Sequence, residues 1–377
     1  MSKDSLVIVS VSAGAGHVRA AEALRTTAAE AYPGMAAIHL DLMEWVPPLF
    51  RTVYADSFLH LVERAPELWG YLYGRTDRAP SPHSKSEALR KAVERLNAAR
   101  FMKVLGDLDP GRVICTHFLP AQLLSRKIRK GAFSRPVWVQ VTDFDVHRLW
   151  VHPHMEGYFA ASAEVAFRMA DRGLDPARVT VTGIPIMPAF SDLLDKAACA
   201  REAGLDPARP VVLMMSGGAG VGALDELAAR LLRMPGDFQL VALAGRNEKL
   251  LGALRKLAQE SPGRLFPMGF TRTIERLMAA ADFAVTKPGG LTSSECLAMG
   301  LPMILVNPIP GQEERNADYL LENGAAMKAY DGAGLEHRVR HLLGDPRRLM
   351  ALREAARALG RPGAAREVLA RVLGAPA

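Results

Sequence analysis

Cysteine is scarce: Cys115, Cys199 and Cys296 are widely separated and form no CxxC pair. That excludes a disulfide framework and a zinc knuckle, and leaves three buried thiols as the expectation. Long apolar runs are missing as well, since none reaches the roughly 18 residues of a membrane-spanning helix. The opening "MSKDSLVIVSVS" has no basic segment followed by a long apolar stretch and a small-residue cleavage site, so a cytoplasmic chain is expected. Low-complexity tracts are absent. Two nucleotide-binding signatures fail in the loop "VSAGAGHVRAA" (11–21): the dinucleotide fingerprint needs a glycine where Arg19 stands, and no GK[ST] follows. NAD and a Walker-type phosphate loop are thereby set aside.

What is present is an ordinary globular mixture, with 49% hydrophobic and 23% charged residues. The 377 residues exceed one ordinary core and suggest two domains. A net charge of +7 favours acidic partners: nucleic acid, an anionic membrane surface or a phosphorylated substrate. Part of the excess is local, because "SRKIRKGAFSR" (125–135) carries five basic residues and no acidic one. A solvated surface explains that stretch equally well. No nucleic-acid-binding motif accompanies the charge, and no nucleic-acid partner is expected.

Apolar β-branched runs alternate with helix-period segments along the chain. "LVIVSVS", "AAIHLDL", "RVICTH", "PVWVQVTD", "GYFAAS" and "VTVTG" read as strands of βαβ units around a parallel sheet. The charged stretch 190–209 reads as a linker. At 210–232, "PVVLMMSGGAGVGALDELAARLL" restarts with strand, glycine-rich turn and helix, followed by strands "FQLVALAG", "RLFPMGF", "FAVTKPGG" and "PMILVN". The expected fold is α/β, with two doubly wound Rossmann-like domains facing across a cleft. The boundary falls at 187/188, with the last helix able to return to the first domain. Ligands in such sheets bind beyond the carboxyl ends of the strands, so function should concentrate in those loops.

Four stretches carry candidate chemistry. His17 sits in the first turn of a helix, whose positive end keeps an imidazole neutral and able to accept a proton; a polar loop residue is the plainer alternative. "FAVTKPGGLTSSECLAMGLPMILVN" (283–307) gives a strand, a Pro-Gly-Gly turn and a helix opened by Thr292 to Ser294, an anion site able to hold a diphosphate without a metal. There Glu295 either closes a capping box with Thr292 or accepts hydrogen bonds from ribose hydroxyls. In "PIPGQEERNADYL" (308–320), Gln312, Glu313 and Asn316 could bind sugar hydroxyls or serve as caps and solvated side chains. In "VTDFDVHRLWVHPH" (141–154), Asp143 stands at a strand's carboxyl end, while Asp145, His147, His152 and His154 match no common metal spacing, so no metal site is expected. Finally, seven aromatics crowd residues 45–73 beside several arginines. Trp45, Phe50 and Trp69 there suit either an interfacial membrane contact or a core helix pair.

Taken together, "GAGHVRAAEAL", "THFLP" (116–120), "VTDFDVHRLWVHPHMEGYFAAS", "VTGIPIMPAF" and "TKPGGLTSSECLAMGLPMILVNPIPGQEERNADYLLENGAA" resemble the diacylglycerol glycosyltransferases of the monogalactosyldiacylglycerol synthase type, including processive bacterial glucosyltransferases. The likeness runs from about residue 6 to residue 330. More distantly, the chain looks like the N-acetylglucosaminyltransferase of peptidoglycan lipid intermediates. The resemblance implies the GT-B fold and an inverting transfer of a hexose from a UDP-sugar to the hydroxyl of diacylglycerol or a related lipid, with no cofactor and no metal. It implies His17 as catalytic base. Donor-binding residues would be Ser216, Gly217, Gly218 and Gly220 in one turn, Phe270 near the uracil, Gly289, Gly290, Leu291 and Thr292 at the diphosphate, Glu295 on the ribose, and Gln312, Glu313 and Asn316 near the sugar. Gly16, Pro120, Asp143, His147 and Trp150 would line the acceptor side. The implied location is the inner face of the cell membrane, held peripherally on an anionic surface. Rival readings are a UDP-sugar epimerase of the same fold, a polyprenyl-lipid acceptor, and a non-catalytic nucleotide-sugar sensor. The plant-type "GGGHR" loop reads "GAGHV" here, which leaves the sugar open.

Overall fold

The computed structural model describes residues 5–12, 14–47, 50–51, 65–77, 98–215 and 224–374. Its contacts divide the chain into two units. Unit 1 comprises Met1–Pro188, Ile309–Arg315 and Pro362–Ala377; unit 2 comprises Ala189–Pro308 and Asn316–Arg361.

In unit 1 the elements run β1 (Leu6–Ser10), α1 (Ala15–Ala31), β2 (Ala37–Asp41), α2 (Pro66–Asp77), α3 (Ala99–Leu108), β3 (Arg112–Cys115), α4 (Phe118–Arg129), β4 (Val137–Gln140), β5 (Gly157–Ala160), α5 (Ala163–Asp171) and β6 (Val179–Val181). The strands form one parallel sheet in the order β2-β1-β3-β4-β5-β6. Strand β1 is buried along its whole length, as a parallel strand covered on both faces must be, which explains its unbroken apolar run. The order reverses between β1 and β3, so the loops after these two strands flank the switch point where such sheets bind ligands.

Unit 2 runs α6 (Lys196–Glu202), β7 (Val211–Met215), α7 (Leu224–Leu232), β8 (Gln239–Gly245), α8 (Glu248–Glu260), β9 (Leu265–Gly269), α9 (Ile274–Ala280), β10 (Phe283–Thr286), α10 (Gly290–Ala298), β11 (Met303–Leu305), α11 (Gln312–Glu322), β12 (Ala326–Lys328), α12 (Gly332–Gly344) and α13 (Pro346–Leu359). The first four residues of α11 group with unit 1. The sheet order β12-β11-β10-β7-β8-β9 places the reversal between β7 and β10. Helix α10 ends as a left-handed glycine dictates: Gly300 has φ +60°, and the Gly300 and Leu301 amides return to the carbonyls of Leu297 and Cys296.

Three details differ from the sequence reading. The expected linker contains helix α6, capped by Asp195, whose carboxylate accepts from the Ala198 amide at 2.7 Å. It buries only Cys199 and Ala200, so no large apolar residue marks its period. Helix α10 begins at Gly290 with Gly289 as N-cap and no side-chain cap, so Thr292 is interior and the capping box with Glu295 does not form. Strand β12, three residues long, is too short to announce itself. All three cysteines are free and buried.

The last helix, α14 (Ala364–Leu373), belongs to unit 1. Its Ala365, Val368, Leu369 and Val372 complete the cluster of Leu6, Ile8, Ala21, Leu24, Ala28, Ile114 and Phe159. No helix among the described residues is long and apolar enough to cross a membrane. Because Leu369 is fully buried against β1 and α1, Leu369→Ala should cost about 2–5 kcal/mol. Urea unfolding of the full chain measures this; a loss under about 1 kcal/mol would mean that the helix is not part of that core.

Candidate functional site

His17 is the third residue of α1, which starts at Ala15 behind Gly14 with no side-chain cap. Its half-buried ring is held by the residues that leave β3 and β4. Nδ1 lies 3.0 Å from the Thr116 carbonyl oxygen and 2.8 Å from Thr142 Oγ1. A carbonyl oxygen can only accept, so Nδ1 carries the proton and Nε2 keeps the lone pair. Among the described residues Nε2 has no hydrogen-bond partner. Thr116 holds the histidine by two contacts, its hydroxyl donating to His17 O at 2.9 Å and its carbonyl taking the ring proton, while its own amide donates to Val9 O at 3.0 Å.

The walls around this ring are aromatic. His117 meets it edge to face at 4.5 Å between centroids, and Trp150 lies at 6.0 Å. His117 Nδ1 accepts from the Leu119 amide at 3.0 Å, which fixes that ring too as a neutral tautomer. Burial pushes the His17 imidazole from its usual value down to about 4, against a smaller upward pull from the Thr116 carbonyl. Burial, with His17 beside it, also holds the His117 imidazole well below its usual value. Both rings are neutral at pH 7, and His17 keeps one lone pair on a half-buried ring.

The loop 141–154 does different work from metal binding. Asp145 pairs with Arg315 and faces Arg168 Nε at 3.6 Å. His147 Nδ1 accepts from the Leu149 amide at 3.1 Å, so its Nε2 donates to Tyr73 O at 3.1 Å. Asp77, the last residue of α2, pairs with Arg172, takes a second bond from Arg315 at 3.0 Å, and accepts from the Arg148 amide at 2.8 Å. Burial pushes the Asp77 carboxyl up, but the Arg172 hydrogen bonds, the His147 ring and the Arg148 amide outweigh it and hold it well below the usual carboxylate range. Tyr73 lies under the Arg315 guanidinium at 5.5 Å. Gly311, at φ +87°, is pressed so near Tyr73 that an added Cβ would stand 2.7 Å from the ring.

That network seats residues 309–315 in unit 1 and with them two expected sugar contacts. Gln312 Nε2 donates to Asp143 Oδ2 at 2.8 Å. Glu313 Oε2 accepts from the Ile309 amide at 2.8 Å, so part of its carboxylate serves as a local cap. Of the expected acceptor-side residues, Pro120, Asp143, His147 and Trp150 are buried and Gly16 is half-buried.

In unit 2, β10 ends at Thr286 and the Lys287-Pro288-Gly289 turn leads into α10. With no side-chain cap, the first-turn amides from Gly290 to Thr292 remain as donors, the arrangement that suits an anion. Leu291, Glu295 and Asn316 are buried, and Thr292 is half-buried. Ser293 Oγ is buried with no hydrogen-bond partner among the described residues. Phe270, just past β9, is 54% exposed with the Arg246 guanidinium 4.7 Å from its ring centre. Ser216, Gly217, Gly218 and Gly220 lie outside the described residues.

The expected membrane contacts Trp45, Phe50 and Trp69 are half-buried, and Arg100 covers the Trp45 ring at 5.4 Å. On α2 it is Leu68 and Tyr71 that are exposed, by 48% and 57%. Sequence reasoning missed Thr116, Thr142, Asp77 and Arg315 as parts of the site. The two threonines had a signal, since each follows an apolar strand directly, in "VICTH" and "VQVTD".

Comparison with known proteins gives consistent matches. Residues 17–186 match the family described as monogalactosyldiacylglycerol (MGDG) synthase, and residues 212–366 match the glycosyltransferase family 28 C-terminal domain. A processive diacylglycerol beta-glucosyltransferase of Bacillus cereus (strain AH187) is 33% identical over 246 residues, 65% of this chain and 63% of that protein. One of Bacillus pumilus (strain SAFR-032) is 34% identical over 225 residues, 59% of this chain and 58% of that protein. The match thus spans less than two thirds of these relatives' length. Among solved structures, Acinetobacter baumannii MurG superposes with TM-score 0.63 at 15% identity, covering 98% of this chain and 99% of that one. An S. aureus MnaA–UDP complex gives TM-score 0.62 at 14% identity, covering 98% and 96%. At such identities the likeness shows the shared fold alone.

Removing the Arg315 guanidinium would leave two buried carboxylates short of a partner, which is costly in a low-dielectric setting. Since that side chain is about one third exposed, Arg315→Met should lower stability by about 1–3 kcal/mol at pH 7. The depressed Asp77 contributes stability above its unfolded value that is lost as pH falls through its folded one, so the deficit should narrow on acidification. Urea titrations at pH 7 and at a pH below the ordinary carboxylate value of 3.8 compare the two chains; a deficit that grows with acid would contradict the assignment.

Proposed function

The chain belongs to the monogalactosyldiacylglycerol synthase family with a family 28 glycosyltransferase C-terminal domain, and from that premise we propose that it moves a hexose from a UDP-sugar to the hydroxyl of a diacylglycerol-type lipid. The observation that carries this reading is the imidazole of His17, fixed as the Nδ1–H tautomer with Nε2 open at the switch point of unit 1. The acceptor hydroxyl gives its proton to Nε2 as its oxygen bonds to the anomeric carbon. The bond from that carbon to the diphosphate breaks, and UDP leaves with the electron pair. The imidazolium then returns its proton to water. Its charge is met at Nδ1 by the Thr116 carbonyl and the Thr142 hydroxyl.

The leaving diphosphate is matched by the uncapped amides at the start of α10, which act as preorganised donors where negative charge develops. Gly289, Gly290 and Thr292 would hold it, with Glu295 on the ribose and Phe270 near the uracil. This scheme calls on no divalent ion. EDTA should therefore leave turnover unchanged, and abolition by EDTA with recovery on added Mg²⁺ or Mn²⁺ would overturn that part.

An amphiphilic acceptor must be met at a membrane, and the exposed Leu68 and Tyr71 of α2 with the basic stretch 125–135 supply apolar and cationic groups for an anionic surface. A peripheral location on the inner face of the cell membrane follows from this reading. Leu68→Ser with Tyr71→Ser should reduce co-sedimentation with anionic vesicles, and undiminished binding would assign the contact elsewhere.

His17→Ala should lower transfer by about a hundredfold or more while leaving inhibition by UDP nearly unchanged. Because the free imidazole is neutral above its depressed pKa of about 4, the acid limb of kcat/KM should lie well below the usual histidine value of 6.5. Product formation from UDP-hexose and diacylglycerol vesicles, followed by mass, measures both. A limb at or above 6.5, or lost UDP inhibition in the variant, would remove His17 from the role of base. Consumption of UDP-hexose without lipid would favour an epimerase instead.

A further inference from the structure

Gln312 is the first residue of α11, and its backbone is anchored on both sides within unit 1. Ahead of it, Pro310 lies so close to Gly70 that a Cβ there would stand 2.8 Å from the proline ring, and Gly311 rests on Tyr73. Behind it, Arg315 is tied to Asp77 and Asp145. With the backbone held, a glutamine side chain keeps one consequential freedom, the flip that exchanges its amide nitrogen and oxygen. Here the flip is decided by Asp143. A carboxylate can only accept, so the 2.8 Å contact with Asp143 Oδ2 requires Gln312 Nε2 on that side. The amide presents its oxygen on the other side, and among the described residues it has no further hydrogen-bond partner.

Asp143 is itself only 6% exposed and immediately follows Thr142, which holds the His17 ring. Two consecutive residues at the end of β4 therefore set the tautomer face of one side chain and the amide polarity of another. An amide locked with its oxygen outward can accept from a hydroxyl and can satisfy nothing that lacks a proton to give. Losing such a partner costs more than never having had one, because the buried polar group is left unpaired.

We propose that Asp143 is a positioning residue for donor-sugar selection, fixing the Gln312 amide so that its oxygen accepts a hydrogen bond from one hydroxyl of the hexose. The proposal rests on the transferase reading above and on Gln312 as a sugar contact. It adds the direction of that hydrogen bond and the residue that enforces it.

The test uses the full chain, diacylglycerol vesicles, the UDP-hexose that supports turnover, and analogues with one ring hydroxyl at a time replaced by fluorine, which cannot donate. In the native chain one analogue should lose about tenfold or more in kcat/KM. Asp143→Asn keeps the shape but allows either amide orientation, so that penalty should shrink to within about threefold, with UDP inhibition unchanged. Gln312→Leu, which leaves Asp143 in place, should erase the same penalty and serves if the Asn variant does not fold. Equilibrium binding of the same donors without lipid gives the discrimination independently of product formation. Absence of any penalised analogue, or a penalty that survives in either variant, overturns the proposal. Discrimination in binding with no lipid product would instead overturn the transferase reading and keep the Asp143 assignment.

Discussion

A backbone carbonyl has no proton to give, and in this protein that limitation organises the chemistry. The oxygen of Thr116 takes the Nδ1 proton of His17 and thereby decides which ring nitrogen keeps the lone pair. Everything else in unit 1 can be ordered by its distance from this contact. Strands β1 and β3 bring the two residues together at a topological switch point, the chain after β4 adds the Thr142 hydroxyl, and Trp150 and His117 pack beside the ring. Among the described residues no carboxylate supports the imidazole, and the proton affinity lost to burial is regained only in part from a neutral acceptor. Such a ring is unprotonated at neutral pH.

A second constraint is the fate of charge that burial would otherwise penalise. Asp77, Asp145, Arg172 and Arg315 pair with one another across segments far apart in sequence: the end of α2, the loop after β4, the C-cap of α5 and the first turn of α11. Arg315 bridges both carboxylates, so its loss leaves each of them short of one partner. The stretch 309–315 is held in unit 1 by this set although the chain on both sides of it belongs to unit 2.

Much of the fold was legible because buried parallel strands such as β1, β7 and β8 are nearly continuously apolar, and of the twelve strands among the described residues eleven fall in runs read as strands, including the half-buried β2, β6 and β9. What was hidden was short or small. Helix α6 buries a cysteine and an alanine, and β12 pairs through three residues. At the candidate site, the placing of His17 and of the Gly289 turn at helix starts was legible from the glycines ahead of them. Thr116 and Thr142 act through single atoms whose targets lie about a hundred residues away, and no local period encodes that. The carboxylates of 141–154 looked like a failed metal motif because their guanidinium partners sit in other segments.

The position of α14 has a consequence for how the protein is made. Leu6 and Ile8 emerge from the ribosome long before the residues that cover them, Val368, Leu369 and Val372. The second unit can gather its core while this apolar face is still bare, so the order of synthesis is not the order of completion. During that interval unit 1 exposes β1 and α1, the kind of surface that aggregates or recruits chaperones. Strand β1 thus waits for α14, and that long-range closure is built into the topology.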